Sequence, residues 1–129
     1  MTYTKSYKER KTFVKYDDET YALFLGEAPG EVVTGQRGKG KNKVKETEPG
    51  YSYTGTSKDG STRIHAKGVT DENRRAKFIA GLIGLRYDMD AQVAILANGS
   101  DTPAHTGELA EFNAVRRECK AAVDELLNR

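Results

Sequence analysis

Apolar and polar positions follow two rhythms along this chain, and the change falls near residue 69. Before it, short β-branched and aromatic runs alternate with turn residues. "KTFVKY" and "TYALFL" predict strands separated by the acidic turn Asp17-Asp18-Glu19, and "EVV" at 31–33 predicts a third, cut off from the second by an Ala28-Pro29-Gly30 turn. In "YSYTGTSKDGSTRIHA", Asp59-Gly60 has the composition of a two-residue hairpin turn, which needs positive φ at both positions. Counting outward pairs Lys58 with Ser61, Gly55 with Ile64 and Thr54 with His65. That register puts Tyr53, Gly55, Ile64 and Ala66 on a core side, and Ser52, Thr54, Thr56, Arg63 and His65 on a polar side.

Beyond residue 69 the period becomes helical. "TDENRRAKFIAGLIGLRY" opens with Thr70 and Asp71 as cap candidates and carries a broad stripe of Phe78, Ile79, Leu82, Ile83 and Leu85. Gly81 and Gly84 weaken this helix but permit close backbone approach. "DMDAQVAILANG" predicts a short second helix, capped by Asp88 and stopped at Asn98-Gly99. Thr102-Pro103 starts the last segment, where Gly107 is expected to delay the regular helix until Glu108. Phe112, Val115, Cys119, Ala122 and Leu126 then form a narrow apolar seam. The predicted architecture is α+β, a single domain over 1–129. A β-rich region (1–69), expected to form one antiparallel sheet from roughly 3 to 67, carries a basic Gly/Lys loop at 35–45, and a helical region (70–129) follows and packs on it.

Composition adds limits. A chain of 129 residues with 36% hydrophobic content suits one small domain with a modest core. Its net charge of +2 does not by itself imply nucleic acid, but the charge is uneven. Residues 1–69 hold 13 Lys+Arg against 9 Asp+Glu (+4), and residues 70–129 hold 8 against 10 (−2). The single cysteine, Cys119, allows no internal disulfide and suits a reducing cytoplasm. No apolar run approaches the ~18 residues of a membrane span, and "MTYTKSYKERK" lacks the form of a signal peptide. A cytoplasmic protein with no membrane partner is expected.

The chemistry-bearing motifs are few. Gly35, Gly40 and Lys41 in "GQRGKGKN" have the spacing of a phosphate-binding loop, but Asn42 stands where the Mg²⁺-binding hydroxyl belongs. The segment also leads into the strand-like "KVKETEPG", closed by Pro49-Gly50, and not into a helix. What remains is a cationic loop of Arg37, Lys39, Lys41, Lys43 and Lys45 that either stays solvated or closes over an anion. His65 and His105 stand far apart with no Cys/His cluster, so no metal site is predicted. Cys119 falls in the apolar seam, and Asp88 and Asp90 sit at a helix start, where acids cap. No catalytic residue and no cofactor are expected, and a non-enzymatic protein follows. Tyr87, Asn98 and the pair Arg116-Arg117 are the residues of interest. An aromatic face, an amide and guanidinium groups can stack a base, read its edge and hold phosphates. The same residues also read as a packed aromatic, a helix stop and solvated cations.

The order of elements, with "RYDMDAQVAILANG" and "AEFNAVRRECKAAVDELL", resembles small proteins of bacterial viruses, in particular the Thoeris anti-defence sponge family. The resemblance covers mainly residues 51–128. It implies a homo-oligomer, dimeric or higher, that sequesters cyclic ADP-ribose signals between protomers, with cyclic oligonucleotides at a second site in some members. It also implies an aromatic role for Tyr87, an amide role for Asn98, a C-terminal cation at Arg116 or Arg117 and an N-terminal one at Arg37. Arg63 and His65, on the polar hairpin face, are candidates for the second nucleotide site. Two other functions fit the residues: a small nucleic-acid-binding or transcription-modulating viral protein using the 37–45 loop and the tyrosine-rich sheet, and a virion accessory structural protein that binds no ligand.

Overall fold

The computed structural model describes all of Met1–Arg129. The chain is α+β, with two small antiparallel sheets and three α-helices. The strands are β1 (Tyr3–Tyr7), β2 (Phe13–Asp17), β3 (Thr20–Leu23), β4 (Ala28–Arg37), β5 (Val44–Gly55) and β6 (Thr62–His65). The helices are α1 (Arg74–Gly84), α2 (Met89–Asn98) and α3 (Pro103–Leu127). The β-rich region forms two sheets and not one: the first has the order β1-β5-β4, the second β2-β3-β6. The chain divides into two compact units, Met1–Val14 with Ala22–Arg63, and Lys15–Tyr21 with Ile64–Arg129.

In the first unit β5 lies between β1 and β4. Tyr53, near its C-terminal end, is fully buried and packs edge-on against Phe24, which in turn meets Tyr7. The Tyr53 hydroxyl accepts the Lys11 N–H at 2.8 Å and donates to Glu27 at 3.2 Å, and Glu27 also takes both arms of Arg10. A buried aromatic core thus ends in a satisfied polar network.

Several local expectations change here. Strand β1 lies within the expected sheet region, in a stretch where no strand-like run stands out. The Ala28-Pro29-Gly30 segment is not a turn but the start of β4, an edge strand, where proline's missing N–H leaves no ladder bond unmade. Pro49-Gly50 likewise lies inside β5, just past Tyr51, where β1 ends and β5 keeps only one neighbour. The Asp59-Gly60 hairpin does not form, since Gly60 takes φ +84° while no non-glycine residue has positive φ. The Asp59 carboxylate instead accepts the Ser61 N–H at 2.9 Å and its hydroxyl at 2.6 Å, and β6 then joins β3 in the other sheet. The alternation survives the wrong pairing: Tyr53, Gly55, Ile64 and Ala66 are buried, while Thr54, Thr56 and His65 are exposed.

In the second unit α1 and α3 pack through Phe78, Ile79, Leu82 and Ile83 on one side and Phe112, Val115, Cys119, Val123 and Leu126 on the other. Val123, not Ala122, completes the seam. Helix α1 begins later than predicted, because Thr70 and Asn73 bond to each other's N–H groups and make Asn73 the cap. Its stripe ends at Ile83, leaving Leu85 exposed. Gly81 is where a Cβ would strike Ile64 and the His65 carbonyl, so the close approach is real there; Gly84 faces open space. The Asp88 carboxylate caps α2 by accepting the Ala91 N–H at 2.7 Å, and Gly99 ends it at φ +56°. Thr102 caps α3, which runs unbroken through Gly107 from Pro103, so no delay occurs.

Candidate functional site

Helix periodicity brings three cations to one groove of the second unit. Arg75, Ile79 and Ile83 recur every four residues on α1, and Arg116 and Lys120 do the same on α3. With Ala76, Ala80, Met89 and Gln92 they line a groove of about 360 Å³. Its floor is aliphatic and its rim is basic. Arg75 is held in two-point contact by Asp124, at 2.6 and 3.1 Å, which raises the arginine's pKa and holds the carboxyl below its usual range. Arg116 lies 5.9 Å from the centroid of the Phe112 ring, and neither it nor Lys120 has a carboxylate partner. Two uncompensated cations over an apolar floor suit a flat, partly apolar anion.

Tyr87 is half-buried and lies elsewhere. Its ring meets Phe112 edge-on at 5.1 Å and lines a separate cleft of about 380 Å³ with Ala91, Ala94, Ile95, Glu108 and Glu111. The two glutamates oppose an anion there. Phe112 thus touches Tyr87 at one side and Arg116 at another, but the aromatic and the cation open into different cavities. Asn98 closes α2, its carbonyl accepting the Asp101 N–H at 3.4 Å. Arg117 is exposed and lines none of the larger cavities, so of the two arginines Arg116 is the one at a groove.

The remaining candidates are engaged locally. Arg37 pairs with Glu46 at 2.8 Å. Arg63 lies 3.9 Å from Asp59, and His65 is exposed; neither lines any of the larger cavities. In the first unit, Lys8, Arg10, Glu27, Pro29, Pro49 and Tyr51 border a hollow of about 500 Å³ that the sequence did not suggest. Its cations are neutralised, Arg10 by Glu27 and Lys8 by Glu48. Arg75 and Lys120 were also missed, although the four-residue spacing of Phe112, Arg116 and Lys120 was a readable signal. Burial pushes the Cys119 thiol up, opposed by Arg86 and aided by Glu118, which keeps it protonated in the seam.

Helix α2 borders the groove through Met89 and has no buried residue. Met89, Val93 and Leu96 are 69%, 57% and 58% exposed, on one face at spacings of four and three. No helix is long and apolar enough to cross a membrane. Comparison with protein-family models, with curated proteins and with solved structures found nothing that matches this chain.

Proposed function

We propose that this protein binds and sequesters a small phosphate-bearing nucleotide without transforming it, acting in the cytoplasm as a homo-oligomer. The observation that carries the reading is the groove in which Arg116 and Lys120 stand unpaired over Ile79, Ile83 and Met89. The resemblance to anti-defence sponges narrows the ligand to cyclic immune signals of the cyclic ADP-ribose type, with Arg116 as the phosphate cation. The exposed apolar face of α2 supports assembly, since such a stripe beside a ligand groove seeks a partner. A second copy laid on α2 would cover the Met89 edge of the groove. Tyr87 and Asn98 retain their aromatic and amide roles in this reading only if the partner's surface completes the pocket around them.

The test is a panel of cyclic nucleotides, each incubated with the pure protein while its melting temperature is followed. A ligand that binds only the native state must raise it, by RT ln(1 + [L]/Kd) in stability. The reading expects one class of cyclic nucleotide to do so, and to be recovered intact after denaturation. Conversion of the nucleotide would overturn it.

A further inference from the structure

The outer part of the longest strand pair in the chain serves no core. Strands β4 and β5 pair from Ala28↔Ser52 to Arg37↔Val44, but β1 accompanies β5 only as far as Tyr51. From residue 31 to 49 the chain is therefore a two-stranded ribbon, and none of its residues is buried. Seven residues of β4 at ~3.3 Å each make an arm about 20 Å long. Its tip is a formed turn: the Asn42 N–H donates to the Lys39 carbonyl at 3.1 Å, and a Cβ on Gly38 would strike the Asn42 carbonyl. Of the loop expected over 35–45, both ends are strand (35–37 and 44–45) and only 38–43 is turn.

Alternation gives the ribbon two unlike faces. Glu46 and Glu48 point to one side, where Glu46 holds Arg37 and Glu48 holds Lys8 at 2.9 Å. Thr47, Lys45 and Lys43 point to the other, with Gln36 opposite Lys45 and Val33 opposite Thr47. From Thr47 outward that face has no carboxylate. Lys39, Lys41, Lys43 and Lys45 are all exposed and have no ion-pair partner.

We infer that the β4–β5 ribbon is an arm for double-stranded DNA, with these four lysines on its phosphates. A two-stranded ribbon fits the major groove of B-form DNA, roughly 12 Å wide. The A-form RNA groove is too deep and narrow to admit it. With Arg37 held by Glu46, the four ammonium groups dominate the contact and go to phosphates, so binding depends little on sequence. The arm and the Arg116 groove are independent sites, and each can fail without the other.

The experiment is fluorescence anisotropy of the full-length protein with a labelled random-sequence DNA duplex of about 20 base pairs, from 50 to 200 mM salt. Each phosphate contact contributes about −0.9 to the slope of log K against log salt, so four lysines give a slope near −3.6. Replacing Lys39, Lys41, Lys43 and Lys45 with Ser should remove most of that slope and at least tenfold of the affinity at low salt. The fold should survive, because no buried residue changes. Arg116→Ala should leave duplex binding untouched. The inference is overturned by no binding at 50 mM salt, by an unchanged slope in the four-lysine variant, or by loss of duplex binding in Arg116→Ala. Tighter binding to vesicles containing phosphatidylserine than to the duplex would also overturn it.

Discussion

The β4–β5 ribbon and helix α2 both stand outside any core, and their surfaces are opposites. The ribbon exposes charged and short polar side chains with only the isolated valines Val33 and Val44 among them, and its strands satisfy each other's backbone groups. Helix α2 exposes Met89, Val93 and Leu96, and between Asp90 and Asp101 the chain has no charged residue at all. Water solvates the first at little cost, and only a further apolar surface can relieve the second. The contrast teaches that lack of burial within a single chain has two meanings. A charged arm can remain free until an anion arrives, whereas an exposed apolar helix face is the surface on which the proposed assembly would form.

The sharpest way to break this contrast is to charge α2. Val93→Asp with Leu96→Asp should reduce the oligomer to monomers in light scattering, since an unpaired carboxylate in a buried interface costs about 3–5 kcal/mol. A parent protein already monomeric at micromolar concentration would refute the α2 half of the comparison.

Truncating the same residue in two settings gives the next largest effect. Leu126→Ala, at a residue 1% exposed, should cost about 2–5 kcal/mol in chemical denaturation. Leu96→Ala, at 58%, should change the stability of the monomeric form by no more than ~0.5 kcal/mol. Equal costs would mean that α2 is buried within its own protomer after all.

At the groove, Arg116→Ala should weaken binding of the stabilising nucleotide roughly tenfold to a hundredfold, the equivalent of about 1.5–3 kcal/mol for a charged hydrogen-bond partner. Arg117→Ala, outside the groove, should change affinity less than about twofold. Titration calorimetry on both folded variants decides between them.

The smallest effect concerns acid. Arg75 lowers the folded pKa of Asp124, so the pair stabilises the fold above the ordinary carboxylate range and loses that contribution as pH falls through the lowered value. Asp124→Asn should therefore flatten the melting temperature between neutral pH and about pH 3 only slightly, because an exposed pair is well screened.

Much of the helical unit was legible, because its signals are local. Asp88 and Thr102 cap where short polar side chains before an apolar period should cap, and Gly99 stops α2. The sheets were less legible. Pairing depends on partners distant in sequence, and the ribbon is built from Gly, Pro, Lys and Glu, which carry little strand propensity of their own. Asp59-Gly60 misled because its turn chemistry is that of an Asx turn, with only the glycine at positive φ. At the site, Arg116 could be read from its seam, but Arg75 depended on where α1 starts. The separation of Tyr87 from Arg116 depended on how α2 and α3 cross, which no local pattern states.

The central claim is that the Arg116 groove holds a phosphate-bearing cyclic nucleotide unchanged. It is tested most directly by titrating the parent protein and Arg116→Ala with cyclic ADP-ribose isomers, then denaturing the complex and identifying the released ligand. The account predicts saturable binding to the parent, weakened at least tenfold by the substitution, with the nucleotide released intact. Equal affinity in the two proteins, or release of a hydrolysed product, would contradict it.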